Sequence, residues 1–337
     1  MRGWAIALLS AALGWGGAQN GAQAQDLNRQ DTIRFVVPFA AGGPVDAMAR
    51  LLAQEMQGPL GANIVVENRG GAGGVTATDL VSRAPADGKT LLVGSQGSHV
   101  ISGLLQSHVK YDPAKSFDAI AMVGAVPVLL VANPQLPFKD FKDLVALAKT
   151  KDLSYGSAGA GSTMNIAGEL INAGAQIKVT HVPYRGVGPA LPDLIGGRLD
   201  LIPADPPVLL PLVQAKTIRP VVVMGPKRLA SLPEIPTTVE LGYTDMVMEN
   251  WYGLLAPAGL PADVAARLEK AALAAIAAPS IQEHMKKGEL TGTLNRVQFT
   301  ERVARDVAHW RPMIQKLGIT DQGDAAATSV PATAPAR

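Results

Sequence analysis

The chain has 337 residues, a formal net charge of +2, no cysteine and 4% aromatic residues. That composition excludes a disulfide framework, a thiolate metal site and a cysteine nucleophile. It also lacks the basic excess and the stacking rings that nucleic acid demands.

Residues 1–24 read as a signal peptide. Met1-Arg2 is a short positive start, Trp4 to Trp15 is apolar, and Ala22-Gln23-Ala24 is a small-residue cleavage signal, placing the cut after about Ala24. The apolar run is too short and too glycine-broken to anchor in a bilayer. Export without disulfides points to a bacterial envelope more than to a eukaryotic exterior.

Arg34 to Phe39 is a short buried strand, Ala40 to Gly43 a tight turn, and Pro44 the first residue of a helix, where its missing N–H costs nothing. Asp46 falls in the first turn, where negative charge suits the helix dipole, and Met48, Ala49, Leu51, Leu52 and Met56 form an apolar stripe. Strand, glycine turn and helix start together aim unpaired backbone N–H groups into one small space, which suits an anion.

The alternation continues. Asn63–Glu67 and Thr90–Gly94 are strands, and helices run from about Thr76 to Arg83, from Ser95 toward Leu105 and from about Lys139 to Thr150. Ile120–Val126 and Val128–Ala132 are two strand candidates separated by Pro127. The pattern then begins again, with strands at Leu153–Ser157, Ile177–Pro183, Leu199–Pro203 and Ile218–Met224 and helices at Thr163–Ala173, Pro189–Ile195 and Pro206–Ala215. Pro220 marks the last strand as an edge or irregular one. Such alternation specifies an α/β fold with parallel, helix-covered sheets, and the length favours two α/β domains over one core.

We expect domain 1 to comprise residues 31–127 plus 252–320 and domain 2 residues 128–251, with a hinge where the chain crosses at Pro127–Pro137 and returns at Trp251–Pro257. Helices at Pro261–Ala277, Ser280–Lys287 and Val297–Lys316 rejoin the first domain. Residues 321–337, rich in Ala, Pro, Ser and Thr without periodicity, read as a disordered tail.

The stretch Gly156 to Ser162 has the glycine spacing of a phosphate loop, but Ser162 stands where the lysine must be, which excludes an NTPase. No dinucleotide fingerprint is present either. What remains is a hydroxyl-rich turn at a helix start, suited to a carboxylate, or a turn using glycine for backbone freedom alone. Gly70 to Gly74 serves a tight βα turn first and ligand contact second. Gly94 to Ser98 misses the nucleophile elbow because Val93 occupies its first glycine position, so Ser95, Gln96 and Ser98 are hydrogen-bonding candidates. The histidines show no metal-ligand pairing, although His99 is placed to line a cleft. Asp118, Asp193, Asp200 and Asp205 have no adjacent base. Tyr184 can lid a pocket, and Arg185 is either a carboxylate clamp or solvated. No catalytic residue, metal or cofactor is assigned.

Several stretches stand in a familiar order: PFAAGGPVDAMAR (Pro38 to Arg50), ENRGGAGG (Glu67 to Gly74), YGSAGAGS (Tyr155 to Ser162), VPYRGVGPAL (Val182 to Leu191), RLASLPEIPTTVELGY (Arg228 to Tyr243) and WYGLLAPAGLP (Trp251 to Pro261). Over about Asp31 to Ile319 the chain resembles the Bug-type periplasmic solute receptors of tripartite tricarboxylate transporters. The resemblance implies a two-lobed periplasmic binding protein fold (type II-like) that closes like a Venus flytrap. It further implies a monomer without enzymatic activity, which holds a small carboxylate and delivers it to the membrane subunits of a transporter.

Carried over by position, Phe39, Ala40, Ala41, Gly42 and Gly43 hold one carboxylate from the first lobe, with Asp46, Ser95, Gln96 and Ser98 nearby. Ser157, Gly161, Ser162, Thr163 and Asn165 serve from the second, and Tyr184 and Gly186 form the cleft wall. Two departures matter. Asn165 stands where the family commonly has histidine. Ile202-Pro203-Ala204 replaces a Met-Phe-Asp run, so Ala204 takes the place of a pocket acid and Asp205 is shifted by one, both remaining candidate ligand-binding residues. Loss of that acid implies a ligand without an ammonium group. A sensory adaptor for a membrane kinase and a secreted hydrolase are the alternative readings.

Overall fold

A computed structural model describes residues 32–106 and 109–319. The signal-peptide segment, His108 and the tail lie outside the described residues.

The opening unit forms as its residues dictate. β1 (Thr32–Val37) leads into α1 (Pro44–Leu60), which has Pro44 at its first position and ends on Gly61 in the left-handed conformation. β2 (Asn63–Asn68), α2 (Val75–Ser82) and β3 (Thr90–Ser95) follow, then a turn of π-helix at Gly97–Ile101 and the single-turn α3 (Ser102–Leu105). β1 lies parallel to both β2 and β3.

β4 (Phe117–Ala132) is 16 residues long and almost wholly buried. The second run comprises α4 (Phe141–Ala148), β5 (Leu153–Ser157), α5 (Thr163–Ala175), β6 (Val179–Pro183), α6 (Val187–Ile195), β7 (Leu201–Ala204), α7 (Pro206–Gln214) and β8 (Arg219–Met224). β5 is parallel to β6 and β7. The chain returns along β9 (Glu249–Pro257) and finishes with α8 (Ala262–Ile276), α9 (Pro279–Gly288) and α10 (Arg296–Leu317). Among the described residues no helix is long and apolar enough to cross a membrane.

The strand order is β2-β1-β3-β9-β4-β7-β5-β6, with β8 also on β4. The parallel arrangement therefore holds within each run, while the two crossing strands break it: β9 is antiparallel to both β3 and β4, and β4 is antiparallel to β7 and β8. The expected break at Pro127 is absent. β4 passes through it uninterrupted because Pro127 faces Glu249 at the very start of β9, just before β7 and β8 take over as partners from Val128 onward. A missing N–H at such a changeover deletes little of the ladder. Pro220 lies beside a slip in register between β4 and β8, as an irregular strand requires.

α10 braces the crossing strands. The buried Trp251 of β9 donates from Nε1 to Asp306 Oδ2 at 2.7 Å, and the Phe299 ring meets Trp251 edge-on at 4.8 Å. Gly253, on the same strand, exists to let Phe299 in: a Cβ there would lie 2.4 Å from the Phe299 ring. Gly253→Ala is therefore expected to destabilise the protein by roughly 1–3 kcal/mol, the usual cost of overpacking, and to lower the urea midpoint; an unchanged midpoint would show that α10 does not press on β9.

Candidate functional site

Three helix starts and one helix cap open on a single cavity. Gly43, Pro44 and Val45 begin α1, Ser162, Thr163 and Met164 begin α5, Val187 begins α6, and Asp205 caps α7; all of them line the space together with Phe39, Ser95, Ala158, Ala204 and Asn250. The cleft encloses about 410 Å³ of atom-free space, part of it open to solvent. No lysine, arginine or histidine is among its lining residues. The first N–H groups of a helix have no carbonyl partner within it, and the dipole adds positive character there. α1 contributes these from Val45 onward because Pro44 has no N–H, α5 from Thr163 and Met164, and α6 from Val187. α7 contributes none at its first two positions, which are Pro206 and Pro207.

A polar chain runs along one wall. Thr163 Oγ1 donates to Asn250 Oδ1 at 3.0 Å, and Asn250 Nδ2 donates to Asp205 Oδ2 at 2.7 Å. Tyr252 donates its hydroxyl to the same Oδ2 at 2.6 Å. Asp205 is 5% exposed, and its other oxygen, Oδ1, has no hydrogen-bond partner. Burial pushes the Asp205 carboxyl above the ordinary value, more than the bonds from Tyr252 and Asn250 draw it down. An acid thus faces this cavity after all. Asp205 lines the wall beside Ala204, at the cap position of α7.

The other expected residues divide sharply. Ala41 and Gly42 are exposed, and two donors of their turn are already engaged: Ala40 N–H bonds to the Arg185 carbonyl at 3.0 Å, and Gly42 N–H bonds to Asp46 Oδ2 at 3.0 Å. Asp46 is buried beneath the turn, where it also accepts from Asn68 Nδ2 and Arg50. Its role is to hold the turn. Burial raises its pKa, but the bonds from Arg50, Gly42 and Asn68 prevail and leave it below 3.8.

Ser98 is tied to Ser95 through its hydroxyl, and Gln96 is buried behind the cavity. Ser162 caps α5, accepting from the Asn165 N–H and donating to the Gly159 carbonyl. Gly161 N–H donates to Asn165 Oδ1, and Asn165 Nδ2 donates to the Tyr155 hydroxyl. Ser157 meets His181 Nε2 at 2.5 Å, and burial lowers His181 to about 4, so this imidazole is neutral. Tyr184 donates to Asp193 at 2.6 Å rather than covering the cavity, and Arg185 is exposed. Gly186 caps α6 beside Ala40. His99 is core, not cleft: it is fully buried among Tyr111, Phe117 and Trp251, with Nε2 at 2.9 Å from the Pro113 carbonyl, and burial lowers it to about 4. Sequence reasoning missed Pro44, Val45, Ala158, Met164, Val187 and Asn250. Asn250 carried a signal, as a lone amide in the apolar run from Met248 to Pro257.

The two halves touch where Gln106 and Gly97 approach Ala160 and the start of α5. Gln106 Nε2 donates to the Ala160 carbonyl at 3.3 Å, and Gly97 lies so close to α5 that a Cβ on it would be 2.4 Å from the Thr163 nitrogen.

A family model described as tripartite tricarboxylate transporter family receptor matches residues 48–319. The chain belongs to this family. It is a receptor, not an enzyme. Among solved structures, the periplasmic binding protein BugD is similar at 33% identity and a TM-score of 0.82, covering 86% of this chain and 98% of that one. MatC from Rhodopseudomonas palustris, solved with bound malate, is similar at 32% identity and a TM-score of 0.80, covering 84% and 99%. Another R. palustris protein, solved with adipate, reaches 31% identity and a TM-score of 0.81, covering 86% and 98%. The receptor accordingly has the two-lobed, type II-like periplasmic binding protein fold, with β4 and β9 as its crossing strands.

Asp46→Ala is expected to cost about 1–3 kcal/mol by removing the charged acceptor that holds Gly42, Arg50 and Asn68 together. Because Asp46 titrates below 3.8 when folded, its contribution is present above that value and is lost as pH falls through the lower folded pKa. Urea unfolding of both proteins from pH 7 to pH 2.5 should show the gap closing only at the acid end.

Proposed function

We propose that this receptor captures a small carboxylate between its lobes, through the helix-start N–H groups, and delivers it to the membrane subunits of a tripartite tricarboxylate-type transporter. The supporting observation is the convergence of α1 from one lobe with α5 and α6 from the other on a cavity lined by no basic side chain. A hydrogen bond to a charged group contributes about 1.5–3 kcal/mol, and micromolar affinity needs about 8 kcal/mol. The N–H groups of Val45, Thr163, Met164 and Val187 reach that range together. MatC and its adipate-bound relative hold dicarboxylates, which makes a dicarboxylate the ligand class to test first.

In this reading residues 31–127 with 252–320 form one lobe and 128–251 the other, and ligand draws them together around β4 and β9. The protein acts in the periplasm as a monomer, after removal of the segment ending near Ala24. A thermal-shift screen of dicarboxylates, tricarboxylates and acidic amino acids should raise the melting temperature with at least one, without turnover; a flat response throughout would sink the proposal. Uptake of the hit by a deletion strain separates transport, which the deletion abolishes, from sensing, which it spares.

Val187→Pro tests the donors directly. Proline fits the first position of α6, and Gly186 before it is extended (φ 162°, ψ 170°), so the substitution removes one N–H from an otherwise unaltered helix. It should weaken titrated affinity about tenfold beyond Val187→Ala, the equivalent of about 1.4 kcal/mol.

A further inference from the structure

We infer that Asp205 acts as a proton-bearing donor in the binding site: its carboxyl is protonated when an organic acid is captured, and Oδ1–H donates to the bound carboxylate, so binding takes up one proton from solution wherever the free carboxyl is ionised. This rests on the carboxylate reading above.

An aspartate at a helix cap ordinarily accepts from the N–H of the second or third helical residue. Here Pro206 and Pro207 remove the first two N–H groups and the third, from Val208, reaches the Asp205 carbonyl instead, so the carboxyl makes no capping bond. The Asp-Pro-Pro sequence thereby frees the side chain to accept from Asn250 and Tyr252 at the cavity wall. Oδ2 is satisfied twice, by Asn250 and Tyr252, while Oδ1 is buried and bare.

No cation faces it. The Tyr252 phenol is itself held far above its usual range by burial and by the Asp205 carboxyl, and stays a neutral donor. α1, α5 and α6 present only uncharged groups to the cavity, and β3 presents Ser95. β4 and β7 are apolar along their pairing with each other, and α7 carries no charged residue. α9 packs Gly288 against Pro207 but keeps Lys286 and Lys287 exposed and commits Glu289 to the N–H groups of Ala230 and Ser231.

An ionised Asp205 would therefore repel an incoming anion at close range in a poorly screened site, with nothing to mediate. A protonated one offers an additional donor, and burial already favours that form.

The test is titration calorimetry of the full mature receptor with malate and with adipate, from pH 5 to pH 8, in buffers of differing ionisation heat. The expected result is proton uptake rising from none toward one as pH climbs past the point where Asp205 ionises in the free protein, with affinity falling about tenfold per pH unit above it. Asp205→Asn mimics the protonated carboxyl, and should bind with no proton uptake and a flat pH profile, outperforming the native receptor at pH 8. Tyr252→Phe removes one bond that favours the ionised form and should shift the native profile toward higher pH. A native affinity independent of pH, without proton uptake, overturns the inference while leaving carboxylate capture intact. So does binding of aspartate in preference to malate that Asp205→Asn abolishes, since Asp205 would then be an ionised partner for an ammonium group. Binding of neither these acids nor any acid of the thermal-shift screen, at any pH, overturns the carboxylate reading itself, and this inference with it.

Discussion

A backbone N–H at the start of a helix has no carbonyl of its own to bond, and a fold that buries one must find it an acceptor. In this receptor α1 on one side and α5 and α6 on the other bring such groups to the same small space. Neither lobe completes that arrangement alone. The close contacts between the two sides, Gly73 against the Ala160 carbonyl and Gly97 against the Thr163 nitrogen, leave no room for a Cβ. The glycine-rich turns are therefore surfaces shaped for mutual approach, more than cradles for a ligand.

Much of this was legible in the linear chain because it is local. Pro44 at a first helical position and Ser162 as a cap announce the starts of α1 and α5, and the repeated strand-helix alternation announces two α/β lobes. The remainder depends on tertiary contacts that no local pattern encodes. Ala40 and Gly42 look like free donors in the sequence, but Arg185 and Asp46, one distant and one beneath the turn, claim them first. Tyr184 is drawn off by Asp193, and His99 disappears among aromatic rings. Pro127 reads as a break because proline usually interrupts a ladder, whereas here it sits where the partners of β4 change.

Asp205 shows most clearly how a one-residue shift alters chemistry. In sequence it reads as an acid displaced by one place from a pocket position. In the structure, the two prolines behind it remove its capping partners, and the carboxyl turns to Asn250 and Tyr252. The same residue types in another order would have produced an ordinary helix cap.

β9 has two jobs at once. It is one of the two strands on which the lobes are hung, and it also carries Asn250 and Tyr252, the side chains that steady the acid in the cleft wall. The wall of the cavity and the ladder joining β3 to β4 thus share neighbouring positions of one strand. A substitution at Asn250 or Tyr252 reaches both at once, because each side chain lies on the strand that holds that ladder together.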